Sequence, residues 1–546
     1  MQPVSYGMNL PLLFSSFLFF TALVPLIAWW RTRRLDNSDA RTFFLADRRL
    51  PWFQIAGTLL LTNLSTEQLI GLNGAASIHG AVVMAWEILP VFALIGMAAY
   101  FLPRYWAGNI TTIPEFLETR FDRTTRRLLG IIVLAAITFN FMPFVLYSGG
   151  IAMSSIFRVP ELLGISPAAS FLLMAWAVAV IGTIYVIKGG MSAVALSDTL
   201  YGVGLIAGAL LIPVLGLIHL GDGDLAAGWS RVAVHQQTKL NPIGAASSSI
   251  PFSTLFTGLM LTNIYYWCTN QLIVQRSFAA SSFAEAQKGV MAAAALKLLG
   301  PFYLVLPGII ALEMFGASIG NGDLAYARLV DAVLPTWMIG FFAAVLLGTI
   351  ISSFNSGLHT ASTLFGYDLY RAWIRQDATD VQVLRVGKRF AVVVCLAALG
   401  ASSLLGGAPE GVFTLMKRLM AAFNIPILAV VIMGIVTTRV PAFAAKIALV
   451  GGVGFHFLLG WLSDSGVLGI KIHWLHLIAI NFVGLCLFML VAGKVAPAPA
   501  RIAERAVAAS SRGALVSWRH LRLASWLLSL GAIAMYAMLW RFSQSG

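Results

Sequence analysis

Charge is what this chain of 546 residues has least of: Asp, Glu, Lys and Arg together make up only 11%. A soluble chain of that length needs far more polar surface, so a water-soluble globular fold is excluded. Cysteine is scarce too, with Cys268, Cys395 and Cys486 each inside an apolar run. That excludes a disulfide framework and any CxxC metal pattern, and leaves three small buried thiols. No HExxH and no P-loop occurs, which removes the commonest zinc-hydrolase and nucleotide-triphosphate chemistries.

What is abundant is hydrocarbon. Apolar residues make up 59%, and mean hydropathy is +0.85. A span needs about 20 largely apolar residues. Fourteen stretches meet that test, near 8–30, 53–78, 80–103, 128–156, 168–188, 192–219, 252–275, 288–313, 338–366, 387–407, 409–437, 441–462, 473–493 and 521–541. The first reads as an uncleaved anchor, because Arg31, Arg33 and Arg34 follow it at once and no basic region precedes it. The net charge of +14 is lopsided: with alternating spans, 27 of the 36 Lys and Arg fall on one side, six on the other and three within spans. This positive-inside bias makes the basic loops cytoplasmic and places both termini outside. Basic loops beside anionic headgroups call for a lipid bilayer and no nucleic acid. The longest polar connections, 220–251 and 494–520, read as surface loops or short amphipathic helices.

In hydrocarbon, non-helical backbone survives only where it is buried in protein or lines a cavity. Two spans, five apart, carry polar runs that invite such a break. One is Leu61-Thr62-Asn63-Leu64-Ser65-Thr66-Glu67-Gln68, and the other extends from Asn263 to Gln271. Paired interruptions in two halves mark the binding centre of many transporters. The plainer alternative is a polar seam between helices. Carbonyls freed at such a break are hard oxygen ligands suited to an alkali cation.

Ionisable groups inside spans are functional candidates by default, here Glu67, Glu87, Asp198, Lys297, Lys417 and Arg418. A Glu87–Lys297 pairing across a cavity would lower the burial cost of each and offer an acceptor and donors to a polyhydroxy ligand; a purely structural ion pair is the alternative. Lys417 and Arg418 open a span, where snorkelling is the competing explanation. In the ninth span Ser352, Asn355 and Ser356 share a face at i, i+3 and i+4, with Ser353 about 100° round. His359 reads as a packed polar residue rather than a ligand.

With these residues in hand, the chain resembles the sodium/solute symporter family, in particular its bacterial sodium/sugar branch. The resemblance rests on Phe44-Leu45-Ala46, Asn63-Leu64-Ser65-Thr66-Glu67-Gln68-Leu69-Ile70-Gly71, Thr112-Ile113-Pro114-Glu115-Phe116 and Gly189-Gly190-Met191-Ser192-Ala193. It continues through Tyr265-Tyr266-Trp267, Asn270-Gln271, Gln275-Arg276, Ala286-Gln287-Lys288-Gly289 and Ser352-Ser353. These occur in order from about residue 40 to 440.

The resemblance implies an all-α integral membrane fold of about 14 helices, with a LeuT-like core of two inverted five-helix repeats. The repeats would occupy 51–220 and 252–440, with 1–50 an anchor and loop, 221–251 an outer loop and 441–546 peripheral helices. Sodium, the implied coupling ion, would be held by Leu61, Leu64, Thr349, Ser352 and Ser353, with a possible second site at Asp198, Asn355 and Ser356. Solute contacts would fall on Gln68, Glu87, Asn140, Asn263, Tyr266, Lys297 and Arg418, with Leu72, Trp86 and Tyr266 as gates. Two departures stand out: Pro90 where relatives carry a hydroxyl, and Arg418 where they carry Gln. The implied activity is sodium-coupled import of a small polar solute, a sugar first and a sugar acid second, across a bacterial cytoplasmic membrane. Proton coupling through Glu67, Glu87 or Asp198, and a non-transporting sensor or channel, are the rival readings.

Overall fold

The computed structural model describes residues 10–32, 40–64, 66–320, 322–405, 412–467, 469, 471–499 and 515–544. Ser65 and the Glu67 side chain, both part of the first polar run, lie outside the described residues. Helices dominate, and the sole β element among the described residues is an isolated bridge between Leu50 and Ala280.

The helices that place the site are α1 (Leu10–Thr32), α2 (Trp52–Asn63), α3 (Thr66–His79), α4 (Ala85–Gly96), α5 (Pro167–Ile187) and α6 (Gly190–Leu220). They continue with α7 (Gly258–Ile264), α8 (Gln271–Phe278), α9 (Phe283–Leu298), α10 (Thr336–Leu364), α11 (Val412–Val436) and α12 (Leu521–Phe542). Ten helices among the described residues are long and apolar enough to cross a bilayer, or eleven if the pair Phe283–Leu298 and Gly300–Phe315, bent by 49°, forms one span. The fourteen expected spans are therefore not all met by single long helices. One reason is fragmentation, since α2 and α7 are too short to cross alone. Another is fusion: Gln68–Ala107 runs to 40 residues, about 60 Å at 1.5 Å per residue and twice the hydrocarbon thickness. It turns at the 3-10 segment Gly80–Met84, where Gly80 takes φ 76°.

Both expected interruptions are present. Helix α2 ends at Asn63, with Leu64 extended at φ −78° and ψ 92°, and α3 resumes at Thr66. Helix α7 passes into a π-turn, Tyr265–Thr269, and Asn270 is extended at φ −72° and ψ 121°. The Asn270 side chain then caps α8 by accepting from the Leu272 N–H at 3.1 Å. At the other end of α2, Glu285 Oε2 accepts from the Trp52 N–H at 2.9 Å.

Close helix approach brings α6 against the broken helix α2. A Cβ at Gly57 would lie 2.7 Å from Thr199 Oγ1, and one at Gly202 would lie 2.6 Å from Leu61 Cδ2. Glycine at these two positions lets α2 and α6 pack closely, on the Thr199 backbone at Gly57 and on the Leu61 side chain at Gly202. His359 on α10 is packed, with Nε2 3.1 Å from the Phe43 carbonyl and its ring stacked on Phe43. At the periphery α12 turns Trp526, Leu527, Leu530 and Ile533 outward, as a lipid-facing helix requires.

The junction of α5 and α6 sits at Gly190, with φ 60° and ψ −168°, a region that side chains avoid. A Cβ there would also crowd Phe43 Cδ2 at 3.1 Å. Gly190→Ala is expected to cost about 1–3 kcal/mol, read as a lower midpoint of thermal unfolding in detergent; an unchanged midpoint would contradict the strain.

Candidate functional site

The approach of α2 to α6 carries Thr58 to Asp198, whose Oδ2 accepts from Thr58 Oγ1 at 2.6 Å. Ser352 on α10 lies beside the same carboxylate. Asp198 Oδ1 and Ser352 Oγ interact without a well-formed hydrogen bond, and the oxygen of the next residue, Ser353 Oγ, is likewise buried without a hydrogen-bond partner from the protein. Buried polar atoms left unsatisfied cost about 1–3 kcal/mol each, so the three together depart from ordinary packing. Helix α2 ends at Leu61–Leu64, and the last carbonyls of a helix lack intrahelical partners. Half-helix ends and free hydroxyls of this kind suit an alkali cation. Thr349 donates its hydroxyl hydrogen to the Leu346 carbonyl at 2.7 Å, which leaves the lone pairs of the hydroxyl oxygen on offer.

The expected second set is less compact. With its amide turned so that the nitrogen faces these acceptors, Asn355 donates to the carbonyls of Gly182 (3.0 Å) and Ile351 (3.2 Å). Ser356 Oγ accepts from Arg276 Nη2 at 2.6 Å and lies 3.1 Å from Thr62 Oγ1. The structure thus gathers Asp198 with Ser352, while Asn355 and Ser356 are engaged elsewhere.

On the solute side, Glu87 and Lys297 meet as the sequence predicts. Lys297 Nζ donates to Glu87 Oε2 at 2.6 Å, with the two side chains 1% and 0% exposed. Gln68 Nε2 donates to the other oxygen, Oε1. Lys297 also stands 5.8 Å from the Trp267 ring centroid, a cation–π contact. Gly300 makes room for the carboxylate, since a Cβ there would lie 2.6 Å from Glu87 Oε2. Pro90, buried inside α4, has no N–H to give the Trp86 carbonyl one turn earlier. Tyr266 reaches the Thr62 carbonyl at 3.4 Å, tying the two broken helices together. Asn263 donates to the Leu259 carbonyl at 2.9 Å, and Asn140, in the π-turn Ile137–Phe141, keeps a buried Oδ1 without partner. Neither Asn140 nor Asn263 is hydrogen-bonded to the Gln68–Glu87–Lys297 cluster.

This arrangement has counterparts. The sodium:solute symporter family model matches residues 43–453. The chain belongs to that family. The uncharacterised symporter YidK of Escherichia coli is 40% identical over 97% of this chain and 91% of its own length. The sodium/glucose cotransporter of Vibrio parahaemolyticus is 31% identical over 82% of this chain and 85% of its own. A solved Na+-coupled sialic acid symporter shares the fold, with a TM-score of 0.73 at 19% identity, covering 89% of this chain and 98% of that one. The expected all-α, LeuT-like architecture therefore holds. The symporter is a multi-pass membrane transporter and not an enzyme, with sodium as coupling ion and a small-molecule solute as cargo.

Two of the three gate candidates of the symporter sit at a cavity of ≈ 740 Å³. Leu72 and Trp86 line it, and so do Lys417 and Arg418. Leu72 is one turn beyond Gln68 on α3 and Trp86 adjoins Glu87 on α4, while Gln68, Glu87 and Lys297 themselves are not among the residues that line the cavity. Trp86 stacks on Trp474 at 6.4 Å. Arg418 is exposed within the cavity.

Two buried residues were given no role by the sequence. Arg276 is 1% exposed and donates to Ser356 and to the Met191 sulfur at 2.7 Å, close enough to Asp198 to interact with its charge. The expected span ended one residue earlier, which left Arg276 among the loop charges. Tyr303, buried with its hydroxyl unsatisfied, lies in the field of Glu87; a tyrosine in an apolar run gives no signal. Conversely, Gly316-Ala317-Ser318-Ile319-Gly320 has GxSxG spacing but forms a 3-10 turn, with Ser318 Oγ donating to the Phe315 carbonyl at 2.6 Å. That is not the strand-to-helix elbow a serine nucleophile needs.

Proposed function

We infer that the symporter imports a sugar together with sodium, by alternating access across a bacterial cytoplasmic membrane, with both termini outside. The carrying observation is the buried Gln68–Glu87–Lys297 cluster, 2.6 Å across its ion pair. It presents ammonium, amide and carboxylate groups to one place, and such a set exchanges hydrogen bonds with hydroxyls, which both donate and accept. The sodium/glucose and sodium/myo-inositol cotransporters among its relatives carry polyhydroxylated solutes in their names, in agreement with this reading.

Sodium would bind at Leu61, Leu64, Thr349, Ser352 and Ser353, with Asp198 balancing its charge. The solute would dock on Gln68, Glu87, Asn140, Asn263 and Lys297, between an outer gate of Leu72 and Trp86 and an inner gate of Tyr266. Residues 51–220 and 252–440 would be the two inverted repeats, each contributing one broken helix. Sodium drives the cycle to the extent that it binds one state better than the other.

Uptake by purified protein in liposomes, against neutral sugars, sugar acids and polyols with and without a sodium gradient, tests this. Accumulation of at least one monosaccharide that collapses without sodium is expected. Accumulation of only non-sugar solutes, or uptake indifferent to sodium, would overturn it.

A further inference from the structure

We propose that the symporter holds an acyl chain of one phospholipid in an apolar groove between α6, α12 and the segment Gly300–Phe315, apart from the solute and sodium sites and independent of the sugar reading. The groove has a volume of ≈ 450 Å³. On each of its three walls the lining residues recur at i, i+3, i+4 and i+7, starting from Leu210 on α6, Phe302 in the segment and Met535 on α12. That spacing marks the face a helix buries against a neighbour. Here three such faces line one cavity with no helix between them. Trp229, from the helix Leu225–His235, closes one end, where its ring meets Phe542 edge-on at 5.4 Å. Gln237 Nε2 pins the same end by donating to the Ser543 carbonyl at 3.2 Å.

The walls decide the occupant. None of the lining residues is charged, and the indole N–H of Trp229 is the sole polar side-chain group among them. A water needs about two to four polar partners, so water does not suit this groove. A helix from another protein is too wide. With side chains it is about 10–12 Å across, so 10 Å of its length would fill roughly 800 Å³. The groove runs from Leu210 to Leu217 on α6 and from Met535 to Phe542 on α12, about 10 Å along each at 1.5 Å per residue. A single flexible hydrocarbon chain meets both limits.

The groove opens on the bilayer. Val214 and Met538 line it and are 42% and 41% exposed, on two helices long and apolar enough to cross the membrane. It thus continues the lipid-facing side of α12 that Leu530 and Ile533 present. A headgroup has its counterpart there too: Arg541 is exposed one turn beyond Met538 on α12, and a guanidinium suits a phosphate. The third wall begins beside Gly300, where a Cβ would lie 2.6 Å from Glu87 Oε2. The acyl chain and the solute cluster therefore border the same bent segment.

Full-length protein, delipidated in maltoside micelles, is titrated with phosphatidylglycerol brominated on its acyl chains, because bromine quenches an indole that it touches. The difference between wild type and Trp229→Phe isolates the fluorescence of Trp229. Trp526→Phe does the same for Trp526, which faces lipid at 70% exposure and serves as the control. Quenching of Trp229 is expected to saturate at about one lipid per protein, half-maximal at a lipid concentration at least about tenfold below that for Trp526. Val214→Phe, which fills the groove, and Met538→Phe, which narrows its mouth, should each erase that difference. Quenching of Trp229 in step with Trp526, or a difference untouched by both phenylalanine variants, overturns the proposal. So does a Trp229 that bromine never quenches; if its fluorescence follows protein concentration instead, the groove belongs to a second copy of the symporter.

Discussion

Lys297→Met is expected to reduce sodium-driven uptake by at least about a hundredfold. The ammonium it removes is buried and held 2.6 Å from Glu87 Oε2, while Gln68 occupies the other carboxylate oxygen. Breaking one side of a buried ion pair costs about 3–5 kcal/mol, because the remaining charge has neither water nor partner. Loss of activity through unfolding alone is separated by the double variant Glu87→Gln/Lys297→Met. With both charges gone the protein should regain most of its thermal stability, since neutral replacements of a buried pair are often tolerated. Uptake should remain lost, because a single amide cannot stand in for both the ammonium and the carboxylate that would grip the solute's hydroxyls. Radiolabelled uptake and a melting curve on the same preparations decide the matter. Wild-type uptake by the single variant would remove the pair from the solute site.

Ser353→Ala should act in the opposite sense on the two quantities. Its hydroxyl is fully buried and finds no protein partner, so its removal relieves an unsatisfied group and leaves folding intact or slightly improved. Sodium affinity should nonetheless fall by about tenfold or more, since a charged ligand contact is worth about 1.5–3 kcal/mol. A half-saturating sodium concentration equal to that of the wild type would exclude Ser353 from the cation site. A large drop in melting temperature would show instead that the hydroxyl has a structural bond.

The parts of this centre legible in the sequence were those whose physics is costly. Polar runs inside apolar spans announced both broken helices, because hydrocarbon leaves few other uses for them. Glu87 and Lys297 announced each other, since a lone charge in a span needs a counter-charge. Arg276 was hidden by a boundary: the break at Asn270 keeps it buried where a regular span was taken to end at residue 275. Thr58 was hidden by its ordinariness, since its contact with Asp198 needs α2 and α6 to touch at Gly57 and Gly202, and a chain with 50 glycines gives no reason to single out those two. Spans and long helices do not correspond one to one for a related reason: hydropathy counts apolar residues and is blind to where a helix is cut or turned.

The ion pair between Glu87 and Lys297 has an electrical consequence. As a short closed dipole it feels almost no net force from a uniform transmembrane field, whichever way the surrounding helices tilt. A sodium ion carried through the same region gains about 2.3 kcal/mol per 100 mV. The voltage therefore does its work on the passenger, and the machinery that recognises the solute can return without carrying current of its own.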